Sequence, residues 1–235
     1  MFPLKDDIPS RTFPFVTIGL IGANVLVFLY QLSLSVGGPG AAQEFIAEFA
    51  LVPCRLTGAC RDAIVGLPSP YLTIFSSMFL HGGLLHVGGN MLYLWIFGDN
   101  IEDNLGHLRF MVFYLASGVA AALAQTVVSA ASGIPMIGAS GAVSGVLGAY
   151  LIQFPHARIL TLLIIGFFVR LVYIPAVVVL GFWAVIQFLN GFLTLGLATG
   201  GEPGGGVAFW AHVGGFVAGM ALIFLVRPRD HLRRA

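Results

Sequence analysis

The sequence predicts an all-α, polytopic membrane protein with six transmembrane helices, and three observations predict it. Hydrophobic residues make up 58% of the chain and charged residues only 9%, against about 25% charged in a soluble domain. The charged residues leave long gaps. None of Asp, Glu, Lys or Arg occurs between Arg11 and Glu44, Asp62 and Asp99, Arg109 and Arg158, Arg170 and Glu202, or Glu202 and Arg227. A spanning helix needs roughly 20 mainly apolar residues, so each gap holds a span and the longest holds two. The third observation is the placing of the basic residues. With six spans, Lys5, Arg11, Arg109, Arg158, Arg170, Arg227, Arg229, Arg233 and Arg234 fall on one side and only Arg55 and Arg61 on the other. Loops rich in Lys and Arg stay in the cytoplasm, so both termini are expected there, in a prokaryotic plasma membrane.

The elements follow in order. Residues 1–12 are a short polar lead, and helix 1 is expected at about 14–34. Its apolar stretch is too long for a signal-peptide core, and further spans follow it. A long external loop, about 36–70, contains a locally amphipathic piece, Glu44 to Leu51, suited to the membrane interface. Cys54 and Cys60 lie in that loop; an oxidising compartment would let them pair, and their spacing leaves the question open. Helix 2 runs from about Leu84 to Asp99 and helix 3 from about Leu108 to Val128. A Gly-, Ser- and Ala-rich loop, Ser129–Ala139, leads to helix 4, which begins near Ser140 and stops at Phe154-Pro155. A cytoplasmic link with an apolar run precedes helix 5 at about Leu171–Leu195. The Gly-rich turn Gly200–Gly206 leads into helix 6 at about Val207–Val226. Residues 1–235 read as one domain, without an internal repeat.

Polar groups at membrane depth are costly and need a partner or a function. Three clusters meet that description: His81-Gly-Gly-Leu-Leu-His86-Val-Gly-Gly-Asn90, Gly138-Ala-Ser140-Gly141, and Ala211-His212-Val-Gly-Gly215-Phe-Val-Ala-Gly219. His86 and Asn90 are four apart and share a helix face. Each cluster alone has a bland explanation, since Gly-x-Ser-Gly is short and a lone His can serve as interhelical glue. Together they supply what a serine nucleophile requires: a base within hydrogen-bond reach and donors aimed at the developing oxyanion. Gly141 and Gly145 on helix 4, and Gly215 and Gly219 on helix 6, are small-xxx-small pairs that let helix backbones approach closely. They directly follow Ser140 and His212.

These residues resemble the rhomboid family of intramembrane serine proteases over most of the chain. His81, His86 and Asn90 match its H-x4-H-x3-N motif, Gly138 to Gly141 its G-x-S-G, and Ala211-His212 with Gly215 and Gly219 its A-H-x2-G-x3-G. Gly98-x3-Glu102-x3-Gly106, followed by Arg109-Phe110, is similar to its G-x3-E-x3-G feature at the helix 2–3 junction. The resemblance implies Ser140 as nucleophile and His212 as general base, a dyad without a third carboxylate. His86, Asn90 and the Ser140 backbone N–H would form the oxyanion hole. His81 would organise the loop region, and Glu102 and Arg109 would be structural. It further implies lateral substrate entry between helices 2 and 5, and cleavage of membrane-protein substrates at segments weakened by Gly or Pro. Two departures stand out: Ser144 replaces an aromatic residue that stacks on the catalytic His in some members, and the external loop lacks their Trp-Arg pair. No seventh helix is expected, in keeping with the basic six-helix prokaryotic form.

Neither a metal nor another cofactor is expected, because His81, His86 and His212 have no acidic or Cys ligand with them and H-E-x-x-H is absent. The net charge of +1 points to no nucleic-acid partner; the basic tail anchors topology at the lipid bilayer. An inactive rhomboid-like protein that binds membrane clients is the alternative, disfavoured because both Ser140 and His212 are kept. A transporter or channel comes third, since nothing suggests inverted repeats.

Overall fold

In the computed structural model, residues 1–60, 68–198 and 207–227 are described. Arg61, the Gly200–Gly206 turn and the basic tail at Arg229, Arg233 and Arg234 lie outside them. The chain runs β1 (Phe2–Lys5), α1 (Phe15–Val36), α2 (Pro39–Phe49), α3 (Pro53–Thr57), α4 (Pro70–Ser76), a 3-10 turn (Ser77–Phe79), α5 (Leu84–Leu105), α6 (His107–Val128), α7 (Ser140–Gln153), β2 (Arg158–Ile165), β3 (Phe168–Pro175), α8 (Ala176–Ala198) and α9 (Phe209–Val226).

Four of the described helices, α1, α6, α8 and α9, are long and apolar enough to cross a membrane. The other two helices of the expected six, α5 and α7, complete the bundle between them. α5 continues past Asp99 to Leu105 and ends with Asp99, Glu102 and Asp103 on its last two turns. α7 has only 14 residues, about 21 Å at 1.5 Å per residue, and ten of them in a row, Gly141 to Tyr150, are buried. A short helix surrounded on every side touches little lipid, so an abundance of Gly and Ala costs it nothing there. The core is continuous across α5, α6, α7 and α9, with Phe97, Phe110, Phe113, Tyr114, Leu147 and Tyr150 at its centre.

Glycine sets the closest approach. A Cβ on Gly215 would strike the carbonyl oxygen of Gly141, and one on Gly219 that of Gly145. α7 and α9 therefore touch backbone to backbone, as the two glycine pairs lead one to expect.

The end of the bundle that carries the strands departs from the sequence reading. The apolar run expected to lead into helix 5 folds instead as a hairpin of β2 and β3, with Ile165 opposite Phe168 and Arg158 opposite Pro175. β1 adds to it antiparallel, giving the order β1-β2-β3. α8 consequently starts at Ala176, not Leu171. Gly166, at φ 58°, makes the two-residue turn possible because it carries no Cβ. The polar lead is also more than a lead: it is strapped to α5 and α7. Asp6 accepts hydrogen bonds from Tyr150 (2.5 Å) and Asn100 (2.9 Å), Ser10 donates to Asp99 (2.5 Å), and Thr12 donates to Asp103 from both its amide and its hydroxyl.

Glu102 is wholly buried, as a structural role requires, whereas Arg109 is exposed. Its carboxylate accepts the backbone N–H groups of Val16 (2.9 Å) and Thr17 (2.7 Å), the Thr17 hydroxyl (2.7 Å) and a contact from His107 Nδ1 (2.6 Å). The first N–H groups of a helix have no partner within it. Glu102 thus caps α1 from a different helix, with the favourable sign for a helix N-terminus.

Candidate active site

At the other end of α7, the loop between α1 and α5 holds the chain that leads to Ser140. Leu51 and Met136 exchange backbone hydrogen bonds (3.1 and 2.7 Å), Cys54 N–H donates to Ser132 (3.0 Å), and Gly138 N–H donates to Ser77 (2.9 Å). Cys54 and Cys60 are joined in a disulfide, which settles the question their spacing left open. α2, Pro39–Phe49, includes most of the amphipathic piece read from the sequence. Gly138 has φ 121° and stands against the His86 ring, where a Cβ would approach Nε2 to 2.7 Å. Both the backbone conformation and the space require glycine here.

Ser140 is the first residue of α7, and its Oγ lies 2.8 Å from His212 Nε2. The two side chains, 72 positions apart, meet because α7 and α9 pack through their glycines. The α9 N-terminus is fixed by Gln125 of α6, whose Oε1 accepts the Ala211 N–H (3.1 Å). His212 Nδ1 lies 2.7 Å from Oε1 of Gln187 on α8, and the Trp183 ring, one turn earlier on the same helix, lies 6.0 Å from the imidazole at 36°. Ser144, where some rhomboids carry an aromatic, turns its hydroxyl back to the Ser140 carbonyl (2.6 Å). The imidazole thus takes its aromatic neighbour from α8 instead of α7.

His81 and Asn90 form a second network. The His81 backbone is clasped by the Gln31 amide (3.0 and 3.1 Å), its Nδ1 faces the Phe79 carbonyl (3.3 Å), and its Nε2 lies 3.0 Å from Asn90 Nδ2. With the Nδ1 proton on Phe79, Nε2 accepts from Asn90 and fixes the orientation of that amide. His86 Nδ1 accepts the Gly82 N–H (3.3 Å). A cavity of about 490 Å³ is lined by His86, Asn90, Gly138, Ser140, Trp183 and His212 among others. A second, of about 1000 Å³, shares His86, Met136, Ile137, Val207 and Ala208 with it and extends along the 129–137 loop. All four residues singled out as the site, Ser140, His212, His86 and Asn90, therefore border one chamber.

Gln187, Gln125, Trp183 and Gln31 were missed from the sequence. The signal was present in the three glutamines, each an amide within or beside an apolar span. Among the described residues, no group of three or more His, Cys, Asp or Glu is placed to hold a metal.

Residues 68–229 match the family model described as Rhomboid domain, most of the chain. The chain belongs to the rhomboid family. Relatives agree. RHOMBOID-like protein 1 of Arabidopsis thaliana is 28% identical over 92% of this chain and 55% of its own length. Rhomboid protein 1, mitochondrial, of Saccharomyces cerevisiae is 39% identical over 60% of this chain and 37% of its own. Rhomboid protease GluP of Bacillus subtilis is 29% identical over 89% of this chain and 35% of its own. The chain thus spans between about a third and just over half the length of these relatives. Membership makes it an integral membrane protein and points, at family level, to intramembrane proteolysis. With mitochondrial and bacterial relatives alike, the comparisons give the prokaryotic plasma membrane no preference over other membranes.

Proposed function

We propose that this rhomboid is an intramembrane serine endopeptidase in which Ser140 and His212 act as a dyad, on a single domain covering the chain. The observation that carries the reading is the 2.8 Å approach of Ser140 Oγ to His212 Nε2 inside a walled chamber. A serine hydroxyl is a weak nucleophile until an adjacent base takes its proton. His212 accepts that proton as Oγ attacks the carbonyl of an unwound substrate segment, then returns it to the leaving amine. Water reaching the chamber along the 129–137 loop hydrolyses the acyl-enzyme.

Ser140 opens α7, so its backbone N–H lies among the donors a helix leaves free, at the positive end of the helix dipole. His86 and Asn90 face the same chamber and complete the oxyanion hole. Asn90 spends one amide proton on His81 and keeps the other for the oxyanion. Substrates are membrane proteins whose spans are weakened by Gly or Pro, because a helical carbonyl is already hydrogen-bonded. They enter between α5 and α8, which barely pack on each other. The basic ends favour a cytoplasmic position for both termini, and the disulfide then falls on the outer side, as oxidising conditions favour.

The test is cleavage of a model transmembrane substrate in liposomes by wild type, Ser140→Ala and His212→Ala. Both substitutions are expected to lower cleavage by at least about 10³-fold while thermal melting in detergent is retained. Persistent cleavage by Ser140→Ala would remove Ser140 as nucleophile. A wild type that cuts none of several helix-weakened substrates would favour the client-binding alternative.

A further inference from the structure

His212 needs more than a serine beside it. A neutral imidazole carries one ring proton, and it serves as base toward Ser140 only when that proton sits on Nδ1 and Nε2 presents its lone pair. A third group usually sets this choice. The motifs supply none, and Ser144 removes the aromatic neighbour from α7.

We propose that Gln187 is the positioning residue of this dyad, holding His212 as its Nδ1–H tautomer and tying the base to α8. The inference rests on the dyad reading and adds a member to it. Gln187 Oε1 lies 2.7 Å from Nδ1, a full hydrogen bond, while Nε2 lies 2.8 Å from Ser140 Oγ. The amide oxygen can only accept, so the ring proton goes to Nδ1 and the lone pair faces the serine. Trp183 and Gln187, four apart on α8, meet the same ring from one helix face, one by a tilted ring contact and one by hydrogen bond. Trp183 also lies 5.8 Å from Phe216, one turn beyond His212 on α9. When Nε2 takes the Ser140 proton, the Gln187 oxygen remains as a neutral dipole against the imidazolium. A carboxylate there would instead hold the ring protonated over a wider pH range. Among the described residues, the other titratable side chains lining the chamber are His86 and Tyr93, both on α5.

The test compares wild type, Gln187→Leu and Gln187→Glu in liposomes from about pH 5 to 9, with Ser140→Ala as the blank. Gln187→Leu is expected to lower kcat about 10- to 100-fold with KM within about twofold and melting unchanged. Gln187→Glu is expected to regain most of kcat, with the acidic limb of its profile moved to higher pH. Histidine-selective ¹⁵N spectra, in which His212→Ala identifies the His212 signals, should show Nδ1–H in wild type and a mixed tautomer in Gln187→Leu. A Gln187→Leu enzyme with wild-type kcat and profile overturns the proposal. So does a loss that Gln187→Glu neither rescues nor shifts, or a His212 spectrum indifferent to the Leu change. Cleavage surviving in Ser140→Ala would instead defeat the dyad, and the ¹⁵N spectra would still decide the role of Gln187.

Discussion

His212 is held by two helices on different terms. Toward α7 its own helix presents glycine, and the contact is peptide against peptide: Gly215 on Gly141, Gly219 on Gly145, and Gly148 on the carbonyl of Phe216. Toward α8 the contact is made by side-chain tips, Trp183 and Gln187 on the imidazole and Trp210 Nε1 on the Gly191 carbonyl (3.2 Å). Backbones locked together cannot slide without breaking close packing. α8 is buried in the core at its start, through Ala176, Val179 and Leu180, and beyond that meets His212 through side chains that can change rotamer. The Ser140–His212 distance is therefore the invariant of this site, and the link to α8 the adjustable part.

The largest expected effect attacks the invariant side. Gly219→Val drives a Cβ carrying two methyl groups into the Gly145 backbone, where no rotamer gives relief. The loss should reach or exceed the roughly 1–3 kcal/mol usual for overpacking, with cleavage abolished. Gly181→Ala on α8, where a Cβ meets nothing within 4 Å, is the contrast and should leave both melting and cleavage near wild type. Equal damage at the two glycines would break the distinction. Next comes Glu102→Ala, far from the chamber. It strips the α1 N-terminus of its acceptor, and the cost should be about 3 kcal/mol for a buried, multiply bonded carboxylate, read as a lower melting temperature. Substrate KM should be unchanged in the fraction that remains folded.

The smallest effect concerns the strap. Burial pushes the Asp6 carboxyl up to about 6; the Tyr150 hydrogen bond opposes the shift, while Asp99 and Asp7 reinforce it. The folded state therefore holds this proton more tightly than the unfolded chain does. Its stabilising contribution is complete below the ordinary carboxylate value and is lost as pH rises through about 6. Asp6→Asn should flatten that slope in thermal melts between pH 4 and 7 while Ser140-dependent cleavage persists.

Much of the site was legible because its residues sit at rare addresses. Ser140, His212, His86 and Asn90 are polar groups in apolar surroundings, with glycines at fixed offsets that say which backbones must touch. Gln187 obeyed the same rule and was passed over because it belongs to no motif. Ser144 raised the right question, what else orients the ring, but the answer lay 43 residues on in another helix. The hairpin was misread for a different reason. A short apolar run does not by itself distinguish helix from strand, and the signals that settle it here, Gly166 at the turn and β-branched residues on both arms, are local and easily swamped by hydropathy. The cap on α1 was half legible: the Glu was marked as structural, but nothing in its spacing pointed to the amides of Val16 and Thr17.

Pairing of β1 with β2 has a consequence for the order of events during synthesis. Phe2 lies opposite Leu162, so the first strand has no partner until four spans have been made. At about 5–20 residues per second, that is a wait of roughly 8–30 s. Until then the strap has nothing to fasten, and the sequence separation makes this one of the slowest kinds of contact to close. Strand β1 is made long before its partner, and the strap can fasten once α1, α5, α6 and α7 are made, with α8 and α9 still to come.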